Sequence, residues 1–136
     1  MKIATQRGFT TIELIMVIII IAVIAVTAVP KFISMGNISV MGAAQMIQAD
    51  IRYAQELAMA EHTAKSINFI SGYKTYSVDS EIQELPSRVT ISHDFIVTFN
   101  PLGEPTAGGG GFVTISAGGE TGTIKVTKYT GKVSIE

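Results

Sequence analysis

A single carboxylate, Glu13, stands inside an otherwise apolar stretch that begins at Phe9. An ionised side chain in the middle of a membrane costs about 2.5–3.5 kcal/mol on insertion scales, so a group of opposite charge is expected nearby. If the chain is cut between Gly8 and Phe9, the new α-ammonium group of Phe9 lies on the same helix face as Glu13, about 5–6 Å away. That ammonium can pair with its own Glu13 or with a neighbouring subunit's. Alternatively, Glu13 only complements the helix dipole, which is worth about 0.3–1 kcal/mol.

Residues 9–29 form a stretch of 21 residues in which Glu13 is the one charge. A helix of that length spans roughly 31 Å, which matches the hydrocarbon core of a bilayer. Lys2 and Arg7 precede it, and the positive-inside tendency then keeps the N-terminus in the cytoplasm. A buried core helix and a cleaved secretory signal are the alternatives, but the apolar part of such a signal is usually only about 7–15 residues long. We therefore predict a single-pass transmembrane helix over 9–29.

Pro30 follows this stretch and removes one hydrogen bond from any helix that continues through it, which favours a kink or local unwinding. It equally suits the end of a span at the membrane surface. Apolar residues then recur at spacings of three and four and predict an amphipathic continuation of the helix over 30–64. The stripe consists of Val40, Ala43, Ala44, Ile47, Ile51, Ala54, Leu57 and Ala58.

The hydrophobic period changes to two from residue 65 onwards, which predicts an antiparallel β region over 65–136. Ser71-Gly72 is typical of a hairpin turn. Further short strands are predicted at 88–92, 95–99, 112–116, 123–128 and 132–135. A long helix followed by consecutive strands gives an α+β fold in which the helix packs on an antiparallel sheet.

The stretch Gly8-Phe9-Thr10-Thr11-Ile12-Glu13-Leu14 follows a short basic leader and precedes an apolar run that ends at Pro30. It resembles the class III signal of type IV pilins and type II secretion pseudopilins. The resemblance implies that residues 1–8 are a leader, that a membrane prepilin peptidase cuts between Gly8 and Phe9, and that the Phe9 nitrogen is then methylated. It also implies that Glu13 pairs with such a terminus during assembly.

The same resemblance implies a pilin-like fold, an anchor in the bacterial inner membrane and a C-terminal domain in the periplasm. The implied partners are other pilins or pseudopilins in a fibre, the prepilin peptidase and an inner-membrane assembly platform. No cofactor is implied.

Two later stretches are similar to minor pseudopilins of the protein H type. Residues 49–58 resemble the D-L-R-x-A-x-x-x-A helix, with Ile51 in place of leucine, and residues 99–103 resemble F-x-P-x-G. The chain has no cysteine for the disulfide of many type IV pilins, and no aspartate follows Asp94, where major pseudopilins carry a calcium loop. The resemblance thus implies a minor pseudopilin of a type II secretion system. The alternative is a minor pilin of a type IV pilus, of the fimbrial T type, that assists assembly or contacts DNA.

The remaining polar residues offer little chemistry, so we expect neither an enzyme nor a metal site. His62 and His93 lack the spacing of metal ligands, and the glycine-rich segment over 104–111 lacks the Lys-Ser/Thr of a phosphate loop. That segment is predicted to be a flexible loop that faces a partner or solvent. A weak calcium site is conceivable at Asp79, Ser80, Glu81 and Glu84, but a solvated loop suits these residues better.

Nucleic acid is not an expected partner of this chain, because its charge is nearly balanced at 10 basic and 11 acidic residues. Binding to phosphates requires a basic surface, since affinity rises with the number of phosphates neutralised. Lys125, Lys128 and Lys132 cluster near the C-terminus, but no arginine accompanies them.

The substitution Gly8→Ala is expected to block the cut that the resemblance implies. Mass spectrometry of the wild-type chain from membranes should show loss of residues 1–8 and one added methyl group, whereas Gly8→Ala should retain its leader. Gly36→Ala makes the same change outside the leader and should be processed normally. A mature mass in the Gly8→Ala chain would contradict this cleavage site.

Overall fold

The computed structural model describes residues 9–33 and 35–136, with the side chains of 9–25 and 40–136. The predicted leader, including Gly8, lies outside these residues. The chain divides into two units, Met1–Met35 and Gly36–Glu136.

Helix α1 spans Thr11–Ile33 in the first unit. Pro30 lies within this range, but its side chain is outside the described set, so the kink there stays a prediction. Within the residues that the structure describes, no helix combines the length and the hydropathy that crossing a membrane requires. The predicted span over 9–29 includes residues 26–29, whose side chains lie outside the described set, and it also stays a prediction.

Helix α2 spans Met35–Glu61 and carries the predicted apolar stripe. The stripe is buried at Val40, Ala43, Ala44, Ile47, Ile51, Ala54 and Ala58, while Leu57 is only half-buried. His62 has a φ of 54°, in the left-handed region that commonly closes a helix. The helix therefore ends before the predicted end at 64.

Nine strands follow α2 in the described part of the chain, and all of their pairings are antiparallel. They are β1 Lys65–Phe69, β2 Thr75–Val78, β3 Glu81–Glu84, β4 Thr90–Ile91, β5 Phe95–Phe99, β6 Pro105–Ala107, β7 Phe112–Ala117, β8 Glu120–Val126 and β9 Val133–Ile135. The first sheet has the strand order β3-β2-β1-β5-β6, and the second sheet has the order β4-β7-β8-β9. The predicted α+β class is confirmed.

The core lies between the buried stripe of α2 and the inner faces of the two sheets. In the first sheet Phe69 stands opposite Tyr76, and their rings stack with centroids 4.9 Å apart. In the second sheet Gly122 lets the helix come close, because a Cβ there would lie 2.7 Å from Cγ1 of Val40. Small residues on both elements thus set a short distance between helix and sheet.

The sequence failed to predict two strands, β3 and β6. The prediction of a flexible loop over 104–111 is wrong for residues 105–107, which pair with β5. The glycines after them are tightly packed. A Cβ on Gly108 would collide with the Ile96 carbonyl oxygen, and one on Gly111 would lie 2.6 Å from Cε2 of Phe95. The amide of Gly110 donates to the Val126 carbonyl at 2.8 Å. These glycines therefore join the two sheets by close backbone contact.

Replacing Ile51 by alanine should lower the free energy of unfolding by about 2–5 kcal/mol, because the removed methyl and methylene groups leave a cavity in the core. Met41→Ala truncates a side chain that is 53% exposed and should cost less than about 0.5 kcal/mol. Urea unfolding of the purified chains measures both values. Equal losses in the two variants would contradict the assignment of the α2 stripe to the core.

Candidate functional site

The first turn of α1 is held by a reciprocal pair of side chain–backbone contacts between Thr10 and Glu13. The amide of Glu13 donates to Oγ1 of Thr10 at 3.3 Å, and the amide of Thr10 donates to Oε2 of Glu13 at 3.5 Å. This is the capping-box arrangement, in which an N-cap threonine and the glutamate three residues later satisfy amides that no helical carbonyl reaches. Glu13 therefore has a local role that its charge alone did not indicate.

Phe9 does not lie in the helix, although the predicted charge pair assumes that Phe9 and Glu13 share one helix face. Because α1 begins at Thr11, Phe9 precedes the helix and does not form a helical i, i+4 pair with Glu13. The capping box nevertheless carries the Glu13 carboxylate back to the amide of Thr10, one residue from Phe9. Phe9 itself is 83% exposed. The pairing of Glu13 with a freed Phe9 nitrogen, like the cut at Gly8, stays a prediction.

Every described side chain of α1, up to residue 25, is exposed. The exposed residues lie on all sides of the helix, since they are consecutive: Ile18, Ile19, Ile20 and Ile21 are each more than half exposed. A helix that is apolar all round requires cover from lipid or from other helices. This uncovered apolar helix, with Glu13 at its start, is the candidate functional site.

Helix α2 is fastened to the C-terminal part of the chain by donors from three side chains. Nε2 of Gln48 and Nη2 of Arg52 donate to the Val133 carbonyl at 3.0 and 3.4 Å. Nε2 of Gln55 donates to the carbonyls of Gly103 and Thr130 at 2.6 and 3.0 Å. The bonds to Val133 and Thr130 fix the end of the second sheet along the helix, and the bond to Gly103 reaches the turn between β5 and β6 of the first sheet.

A second polar contact joins α2 to the first sheet. The hydroxyl group of Tyr76 donates to Oδ2 of Asp50. Tyr76 is only 3% exposed, and burial, reinforced by the hydrogen bond to Asp50, raises the pKa of its hydroxyl group. The contact provides a partner for a polar atom that would otherwise be buried alone.

Among the residues considered for calcium binding, Asp79 is engaged in an ion pair. Asp79 accepts a salt bridge from Nζ of Lys65 at 3.0 Å, and Glu61 accepts another at 2.8 Å. The hydrogen bond to Glu61, and to a smaller extent the one to Asp79, raises the pKa of the Lys65 ammonium group. Across the described residues, no three His, Asp or Glu side chains come together in a way that could hold a metal ion.

His93, Lys125 and Lys128 each contact another residue of the globular unit. His93 lies against Phe112, with Nε2 2.8 Å from the Phe112 carbonyl oxygen. Lys125 forms an ion pair with Glu136 at 3.6 Å. Nζ of Lys128 lies 5.4 Å from the ring centroid of Tyr129.

The architecture of a helix packed on antiparallel sheets is the pilin-like fold, and it matches solved structures of that class. The crystal structure of the type IV minor pilin FimU from Pseudomonas aeruginosa (strain PAO1) in space group P65 superposes with a TM-score of 0.57 and 16% sequence identity, over 71% of this chain and 91% of that chain. The same pilin in space group P21 gives a TM-score of 0.58 and 15% identity, over 71% and 87%. No protein-family model and no curated protein sequence matches the chain. The pilin-like fold is thus confirmed.

Replacing Tyr76 by phenylalanine should lower the free energy of unfolding at pH 7 by about 1–3 kcal/mol, because Asp50 loses its donor. The wild-type chain should also lose stability as the pH rises above about 10, the ordinary pKa of tyrosine. There the unfolded chain releases the hydroxyl proton while the folded chain, with its raised pKa, retains it, so deprotonation favours unfolding.

Urea unfolding from pH 7 to 11 tests both expectations, and the alkaline loss should be smaller in Tyr76→Phe. Tyr73→Phe removes a hydroxyl group from a side chain that is 59% exposed and should follow the wild type. Parallel alkaline curves for wild type and Tyr76→Phe would contradict the raised pKa.

Proposed function

We propose that this chain is a minor subunit of a pilin-like fibre, anchored in the bacterial inner membrane by α1 and held in the fibre by the same helix. The observation that carries this proposal is the apolar surface of α1, which is exposed on all sides over its described side chains. The globular unit has its own core, which α2 and both sheets share. Lipid before assembly, and neighbouring helices after it, would supply the cover that α1 lacks.

Glu13 would set the position of each subunit along the fibre. A carboxylate buried among apolar helices without a partner costs several kcal/mol, on the order of 2.5–3.5 on insertion scales. A cut at Gly8 gives each subunit an ammonium group at Phe9, and one axial offset between neighbours brings opposite charges together. At other offsets neither charge meets an opposite charge on the neighbouring subunit. The pair would thus select a register, which is the best-attested use of a buried charge.

The capping box explains how Glu13 is tolerated before assembly. Its carboxylate rests against the amide of Thr10, at the positive end of the helix dipole. This local arrangement does not require a second subunit. Assembly would then exchange a contact within one chain for one between chains.

The first candidate for the machine is the type II secretion system, in which the chain would be a minor pseudopilin. Its support is the similarity of residues 49–58 and 99–103 to protein H. The second candidate is a type IV pilus, in which the chain would be a minor pilin, and the likeness to FimU favours it. In both, the prepilin peptidase and the inner-membrane assembly platform would be partners, the domain after α1 would lie in the periplasm, and the role would be structural, not enzymatic.

Replacing Glu13 by alanine should leave membrane insertion and the cut at Gly8 largely intact but reduce incorporation into the fibre at least about tenfold, because the charge pair that sets the register is lost. Immunoblotting of sheared fibres and of membranes measures the two pools. Glu120→Ala removes a carboxylate from the second sheet and should assemble like the wild type. Normal incorporation of Glu13→Ala would contradict the register role.

Deleting the gene in the parent bacterium separates the two machines. Loss of secreted enzymes with normal surface pili supports the secretion system, and loss of pili with normal secretion supports the pilus. A deletion strain normal in both, although its wild-type parent runs both machines, would contradict the fibre proposal.

A further inference from the structure

Strand β3 is an open edge of the first sheet. It pairs with β2 on one side, and no hydrogen bond from the described part of the chain reaches its other side. Its four residues, Glu81–Glu84, include no proline. An edge of this kind presents backbone amides and carbonyls to any extended chain that approaches it.

The other three sheet edges are closed or interrupted. At β4, the amide of Ile91 donates to the Tyr73 carbonyl and the Ile91 carbonyl accepts from Gly72. At β9, the Val133 carbonyl accepts from two side chains of α2. At β6, Pro105 lacks an amide hydrogen, and the strand has only three residues. Among the described strands, β3 is therefore the edge best suited to receive another strand.

A cleft lies on the face of β3 that is turned towards the core. Because directly opposed residues share a face, Glu81 points to the same side as Val78, towards the core. Beside Glu81, two side chains of α2 are incompletely covered: Tyr53 is 52% exposed and Leu57 is half-buried. These residues line a cleft of about 240 Å³. The cleft is also lined by the charged side chains of Glu61, Lys65 and Asp79. One more strand beside β3 would cover the uncovered part of the helix.

The opposite face of β3 is apolar at its centre. Ile82 stands opposite Ser77 and is 76% exposed. Together with Tyr73 and Ser77 it lines a second cleft of about 250 Å³. A strand that pairs with β3 would thus place alternate side chains in the two clefts.

Charge determines which strand fits. Glu81 and Glu84 take part in none of the ion pairs among the described residues. A second copy of β3 paired antiparallel through this edge would bring its own Glu81 and Glu84 into the same four-residue interface, and the added like charges are destabilising. A strand with lysine or arginine at these two positions would instead form two cross-strand pairs.

We propose that the outer edge of β3 binds an extended segment of a different protein by strand addition, with basic residues opposite Glu81 and Glu84 and apolar residues between them. The interface belongs to the globular unit and does not depend on α1. It therefore goes beyond the proposed assembly through the N-terminal helix and stands or falls separately from it.

The test uses the full-length chain in detergent and a capped octapeptide centred on Lys-Ile-Val-Lys, with glutamates in place of both lysines in a control peptide. Hydrogen exchange should show new protection of the amides of β3 with the lysine peptide. Binding of the glutamate peptide should be weaker by about three- to tenfold, from two lost cross-strand pairs. A lysine peptide N-methylated on the edge that faces β3 should not bind, whereas methylation of its opposite edge should have no effect.

Glu81→Lys should abolish the preference, because each peptide then meets one opposite and one like charge, and the double substitution Glu81→Lys with Glu84→Lys should reverse it towards the glutamate peptide. Glu120→Lys is the matched control, because Glu120 is also the exposed first residue of a strand after a tight turn, and it should behave as the wild type. Protection elsewhere, equal binding of both peptides, insensitivity to N-methylation or no binding at all would each overturn the proposal.

Discussion

The whole globular unit depends on one strip of helix surface, the buried stripe of α2 from Val40 to Ala58. Two sheets cover it, and among the described elements α2 is the one helix that packs on their inner faces. The alanines in the stripe and Gly122 opposite them keep the backbones close, so the branched side chains of Ile47 and Ile51 fill the space between. Close packing of this kind makes each removed methylene costly. The helix thus defines the position of both sheets.

Polar groups then fix the position of each sheet along α2, which apolar packing alone does not determine. Apolar contact is non-directional and permits a sheet to slide along a helix. Hydrogen bonds fix specific atoms, and here Gln55 holds two carbonyls from distant turns at once. Tyr76 and Asp50 do the same for the first sheet. The resulting unit has a core of its own, formed by α2 and the two sheets.

The elements that the sequence predicted are those with one buried face. Phe95, Val97 and Phe99 alternate because β5 has a core side, and the predicted strand at 95–99 has the observed bounds. Strand β3 was missed because an edge strand exposes both faces, so its hydrophobic period is lost. The capping box at Thr10 and Glu13 has the sequence signature T-x-x-E, which predicts a helix start independently of the charge of Glu13. The run Gly108–Gly111 predicts a flexible loop, but in the structure these glycines provide room for close contact with neighbouring strands. The candidate site was located by composition alone, since an apolar run needs no tertiary information.

The bond between Gln48 and Val133 joins residues 85 positions apart. During synthesis α2 leaves the ribosome long before β9 exists, so its apolar stripe waits uncovered while the strands are made. Closing so long a loop is slow compared with forming a hairpin. The second sheet can therefore close on α2 only after β9 has emerged, and until then the apolar stripe is open to contacts with other unfolded chains.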